Sequence, residues 1–179
     1  EKRKISRRKM VTEEKTEDSM VSGRVKYPVT AVLGLLLLFT SCRSNLVYTD
    51  SKVMAEKTWN LDDIAVFQVP VSDTVKSNNV VFTIRTGSSY PFRNIFFFVS
   101  TTSPDGRTVT DTLEYGLADE KGKWFGKGFG DVHELNLPYK SNVFFPVKGI
   151  YQFSIRHGMR QETLNGIYDL GLRIEKVSK

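Results

Sequence analysis

The strongest nucleophile in this 179-residue chain is a thiol, and there is one of it: Cys42, at the end of the apolar run "LLLLFTSCRS" (35–44). A lone cysteine rules out an intrachain disulfide and the paired-cysteine spacings of zinc sites. The two histidines, His133 and His157, stand in no Ser-His-Asp or Cys-His frame that spacing could certify. Around the first of them Asp119, Glu120, Asp131 and Glu134 supply oxygens that could hold calcium, or a transition metal with the imidazole. That D-x-H-E order matches no ligand spacing and lacks a second nearby histidine, so solvated turn charges are expected. The stretch "GKWFGKGFGD" (122–131) contains a GxGxG string, yet a phosphate cradle needs a strand before it and a helix N-terminus after it. The chain continues as "DVHELNLPYK" (131–140), in which Pro138 breaks any helix. A glycine-permitted bulge is expected instead, with Trp124, Phe125 and Phe129 packing down; the sharper alternative makes Trp124 and Phe129 an exposed platform for sugar or peptide. No cofactor, metal, nucleotide or catalytic set is expected.

The thiol makes sense once the residues before it are divided. Residues 1–19 pair a basic cluster with an acidic one and hold little to bury, which predicts a disordered or over-extended segment. Met20 opens a self-sufficient beginning: Arg24 and Lys26, an apolar run from Val29 to Phe39, then Thr40, Ser41 and Cys42. That is the layout of an export signal over 20–41, and the run is too short to span a bilayer comfortably. Because the chain starts at Glu1, Met20 is expected to be the natural start. Leu38-Phe39-Thr40-Ser41-Cys42 resembles a bacterial lipobox, in which a small residue, here Ser41, precedes the cysteine that is acylated and becomes the new N-terminus after cleavage between the two. Arg43 stands where an Asp would mark inner-membrane retention in enteric bacteria, and no acidic cluster comes after it. The expected location is the outer membrane, in its periplasmic leaflet.

The charge balance agrees with export and not with nucleic acid. The chain has a net charge of +6, but residues 1–41 hold nine Lys/Arg against five Asp/Glu, leaving 17 against 15 from Cys42 onward. A phosphate-binding face needs clustered cations, and this remainder interleaves its signs.

The mature chain divides into a partly ordered tether, 42–60, and one domain, 61–179. Its apolar pattern has a period near two: 64–71, 80–86, 94–102, 107–117, 142–147, 149–157 and 167–177 are rich in Val, Ile, Phe, Tyr and Thr and bounded by turn formers. The expected fold class is all-β, an antiparallel β-sandwich of seven or eight strands. "SPDG" (103–106) should close a hairpin, and "TLNG" (163–166) another. Tyr151, Phe153, Ile155 and His157 share one face of their strand and should point inward, as should Tyr168, Leu170, Leu172 and Ile174. "NIFFFVS", apolar on both faces, reads as a central strand.

Four stretches carry a resemblance: "IRTGSSYPFRNIFFFV" (84–99), "LADEKGKWFGKGFGD" (117–131), "VFFPVKGIYQFSIRHGMR" (143–160) and "LNGIYDLGLRIEK" (164–176). Together with the lipobox they are similar to the gliding-motility lipoproteins of the GldH type, found in Bacteroidetes, over most of residues 42–177. The resemblance implies an acylated Cys42, no catalytic residue, and a non-catalytic structural or interaction role beside the machinery that moves and secretes surface adhesins. Its partners would be the membrane, through the lipid, and envelope proteins. The contact residues expected are those the fold hardly requires: Tyr90, Phe92 and Arg93 in "SSYPFRN", and Trp124 and Phe129. A carbohydrate-binding module on a lipoprotein anchor is the alternative.

Overall fold

The computed structural model of the protein describes residues 45–177. The signal at 20–41, Ser41 and Cys42 lie outside those residues. The described chain is all-β and wholly antiparallel. Its strands are β1 (Leu46–Val53), β2 (Thr58–Asn60), β3 (Ala65–Val71), β4 (Asn78–Gly87), β5 (Asn94–Thr102) and β6 (Thr108–Gly116). They continue with β7 (Lys127–Phe129), β8 (Val132–Val143), β9 (Gly149–His157), β10 (Thr163–Asn165) and β11 (Ile167–Lys176). Eight have seven residues or more and three have only three; six of the seven segments expected from the sequence fall on the long strands β3, β4, β5, β6, β9 and β11.

One sheet runs in the order β1-β11-β4-β8-β7, a second β3-β9-β5-β6, and β10 pairs with β2 in a small ribbon. The two larger sheets pack as a sandwich. Phe82 of β4 meets Phe97 of β5 edge to face, centroids 5.9 Å apart, which ties one sheet to the other through the core. Alternation places the side chains as the sequence predicts. In β3 every odd position from Ala65 to Val71 is buried and every even one exposed, and in β9 Tyr151, Phe153, Ile155 and His157 face inward. β5 lies between β9 and β6, the central position expected of it. The "SPDG" turn closes β5 onto β6, with Gly106 N donating to Ser103 O at 2.9 Å.

Four expectations need correction. Residues 46–53 and 58–60, expected to lie in a tether, are strands: β1 pairs along β11 over seven positions. Its exposed edge position leaves β1 without the apolar alternation that marks a strand in sequence. The strand expected at 142–147 is the tail of β8, whose last residue is Val143. Pro138 breaks a helix but not this strand, because β7 reaches only Val132–Glu134 and leaves the rest of β8 at the sheet rim, where a missing N–H costs nothing. "TLNG" closes no hairpin between β9 and β11, which lie in different sheets; Thr163–Asn165 crosses between them and pairs with β2. In β11 a register shift between Ile167 and Asp169 buries Ile167 and leaves Tyr168 half-buried, while Asp169 pairs across with Arg85 on the outer face of the sheet. Asp169 is only 4% exposed there, and its carboxylate accepts from Arg85 Nε at 2.7 Å.

The long strands give the sandwich two ends. One holds the start of β1, the end of β11 and the loops 72–77, 103–107 and 144–148; a cleft lined by Leu46, Val71, Asn78, Phe145 and Lys176 marks where the two sheets meet there. The other holds residues 54–57 and the loops 88–93, 117–126 and 158–162.

His157 sits fully buried near that second end, its ring edge-on to Trp59 at 5.4 Å. Burial pushes its pKa below the ordinary 6.5, against backbone groups of Glu162 and Trp59 that favour the charged ring. The folded state thus binds this proton less readily than the unfolded chain. Stability is full above pH 6.5 and falls as pH drops from there toward the lower folded-state pKa. Urea midpoints at pH 7.5 and 5 should show the loss, and His157→Phe should shrink it; an unchanged pH dependence in the variant would assign the loss to other groups.

Candidate functional site: the aromatic loops at one end of the sandwich

The two loops singled out by sequence meet at the second end. β4 stops at Gly87, where an added Cβ would come within 2.9 Å of the Tyr168 ring. The chain then turns: Tyr90 N donates to Gly87 O at 3.0 Å, and Asp131 Oδ1 accepts from Ser88 N at 3.1 Å. Arg93 O then accepts from both Leu117 N (2.7 Å) and Ala118 N (3.1 Å), so loop 88–93 holds the start of loop 117–126. That second loop carries its own frame. Asp119 accepts from Lys121 N and Lys123 N, each at 2.8 Å, around Gly122, whose φ of 81° glycine adopts at little cost. Phe125 N returns to Leu117 O at 3.0 Å.

The glycine string has a steric explanation. A Cβ on Gly126 would lie 2.2 Å from Glu134 O, and one on Gly128 2.7 Å from His133 Nδ1; β7 passes too close to β8 for side chains. Gly130, at φ 61°, opens the two-residue β7–β8 hairpin. A strand stands where a phosphate cradle would need a helix. The acidic residues nearby are spent on geometry: Asp119 on turn amides, Asp131 on Ser88 N, while His133 stacks on Trp124 at 5.2 Å and 11°. Among the described residues no three of His, Cys, Asp or Glu converge as metal ligands would.

The five expected contact residues divide. Tyr90 is a correction: it is 3% exposed, a core residue whose hydroxyl donates to Asn94 O at 2.8 Å and whose phenol burial pushes far above its ordinary pKa. Tyrosine is required there because it fills the volume under the loop and supplies a donor to its far side. Phe92 and Trp124 are half-buried; Phe92 lies edge to face with Tyr90 at 5.6 Å, and Trp124 tilts against it at 6.4 Å. Arg93 is exposed. Phe129 lies in β7, and its side chain lies outside the described residues. Phe125, expected to pack down, is instead 64% exposed. Its signal was the alternation with Trp124: one turns toward Tyr90 and the next must turn out. Pro91, Arg93, Glu114, Glu120 and Phe125 border a shallow hollow between the two loops, and Phe92, Phe96 and Met159 an apolar one beside it. No stacked, fully displayed ring row of the kind a sugar platform needs is present among the described residues.

The fold is an all-β antiparallel sandwich with a pair of loops clipped together by backbone hydrogen bonds at one end. The family model of the GldH lipoprotein matches residues 46–174. The chain belongs to the GldH lipoprotein family. It is 37% identical over 160 residues to the gliding motility lipoprotein GldH of Flavobacterium johnsoniae, and 35% over 160 residues to the GldH homolog of Christiangramia forsetii. Each match covers 86% of this chain and 98% of the relative. Solved structures are far more distant. The infectious bursal disease virus VP2 subviral particle matches 78% of this chain and 39% of its own at 14% identity, TM-score 0.34. A carbohydrate-binding module of the β-sandwich superfamily matches 76% and 58% at 11% identity, TM-score 0.27. Likenesses this weak carry no argument about function.

Proposed function

We propose that the protein is a lipid-anchored, non-catalytic component of the cell envelope that serves gliding motility, and the secretion associated with it, by holding a protein partner at the loop pair 88–93 and 117–126. Acylation of Cys42, followed by cleavage between Ser41 and Cys42, confines the domain to the periplasmic leaflet of the outer membrane and raises its effective concentration near partners there. Support for the motility role comes from the names of both relatives. The observation that carries the binding reading is Phe125, 64% exposed on a loop that three backbone hydrogen bonds to Arg93 O and Leu117 O hold in shape. A large apolar side chain on a rigid frame loses little freedom when a partner covers it.

Two measurements test this. Intact mass of the protein from its own cells should show diacylglycerol on Cys42, and Cys42→Ser should release it from membranes. A photo-crosslinker at position 125 should capture envelope proteins that the same probe at Val66, on the outer face of β3, does not. Arg93→Ala should abolish those crosslinks with a stability change within about 0.5 kcal/mol, as expected of an exposed side chain. Equal capture at both positions would remove the loop pair as the binding site.

A further inference from the structure

Three residues, Arg43, Ser44 and Asn45, separate Cys42 from the first strand, and Asn45 O already accepts from Lys176 N at 2.8 Å. Three extended residues reach about 11 Å at most. A lipid on Cys42 therefore leaves no stalk; it brings the first end of the sandwich down to the headgroups.

The groups at that end suit such a surface. Ten large apolar residues are exposed among those described. Six of them, Leu46, Val47, Val75, Val109, Phe144 and Ile150, lie in the loops of this end or in the first two residues of its strands. Val75 is 81% exposed at the tip of loop 72–77, and Phe144 59% exposed at the start of loop 144–148. Lys76, Lys148, Lys176 and Arg107 stand among them, against Asp73, Asp105 and Glu175, the last held by Arg173 Nε at 2.9 Å. Asp105 is already held by Arg107 Nε at 2.8 Å, and Asp73 by the amides of Val75 and Lys76 at 3.1 and 3.2 Å. Apolar tips set among cations are the chemistry of an interfacial contact with anionic lipid: the side chains enter the headgroup layer while ammonium groups meet phosphates.

We propose that the end of the sandwich bearing Val75 and Phe144 docks on the lipid surface, so that the loops 88–93 and 117–126 point away from the membrane. This orientation rests on the acylation of Cys42 given under the proposed function, and its test separates the two. The acylated protein, purified from cells and placed in vesicles of phosphatidylethanolamine and phosphatidylglycerol, carries one environment-sensitive fluorophore on a cysteine introduced by Val75→Cys, Phe144→Cys or Phe125→Cys. Lipids bearing a nitroxide near the headgroup should quench the probes at 75 and 144 and leave the probe at 125 bright; adding Lys76→Glu and Lys148→Glu should restore emission at 75 and 144. Acylated, vesicle-bound protein with all three probes equally bright would overturn the orientation while leaving the anchor intact. Shielding at 75 and 144 that appears in solution and grows with protein concentration would assign the face to a second copy and also overturn it. Absence of lipid by mass would remove anchor and orientation together.

Discussion

Gly166→Val is expected to leave the protein largely unfolded, with a loss of roughly 3 kcal/mol or more. Gly166 has a φ of 83°, in the left-handed region where a β-branched residue is a genuine outlier. It also stands where three segments cross. Its amide donates to Lys57 O at 2.9 Å, its carbonyl accepts from Gly87 N at 2.8 Å, and a Cβ would come within 2.4 Å of Tyr90 N. The clash is with backbone, which cannot swing aside as a side chain could. Relief would require loop 88–93 to move, withdrawing Tyr90 from the core and the Arg93 carbonyl from the second loop. Gly122→Ala is the control: φ is 81° there too, but nothing lies within 4 Å, so the cost should be about 1 kcal/mol. Equal shifts in urea midpoint for Gly166→Ala and Gly122→Ala would show that dihedral strain alone, and not close approach, sets the requirement.

Trp59→Ala should cost about 3–5 kcal/mol, the range for emptying a buried aromatic site. Trp59 is fully buried, its ring centroid 5.7 Å from Phe97 and its Nε1 donating to Asp63 O at 2.7 Å. It belongs to β2, which among the described residues pairs with β10 alone, so deletion also removes the partner of Leu164 and leaves the crossing between the sheets without an anchor. The neighbouring His157 supplies a second readout. Opening the pocket to water should weaken the burial that depresses the imidazole pKa, so the variant should lose less stability between pH 7.5 and 5 than the wild-type protein. Thermal and urea unfolding at both pH values measure the pair of effects. A loss below 1 kcal/mol would mean that Phe97 and Leu164 collapse into the space.

Strands buried on one face were legible in the sequence, and strands at the rim were not. β3 and β9 announce themselves because each alternates apolar and polar residues, and β5 because its unbroken apolar run marks a central strand. β1 and the tail of β8 have solvent on most sides, so their polar residues and Pro138 carry no periodic signal; pairing to β11 and β4 decides their conformation. The site was partly legible for a related reason. Glycines and aromatics mark where loops are held closely, and they located both loops. They did not distinguish a ring that plugs a loop, Tyr90, from one that the loop displays, Phe125, because that depends on the other loop's backbone bonds to Arg93 and Leu117.

The edge strand β1 has a mechanical consequence. It leaves Asn45 directed away from the anchor end and runs antiparallel to β11 over seven paired positions. A tug between a lipid on Cys42 and cargo gripped at the far loops would run along the strand axes. The rungs between β1 and β11 would then be strained in shear, all together, and not peeled one after another. Such a geometry resists sudden traction far better than a strand drawn off sideways, as the membrane-anchored role proposed above would require.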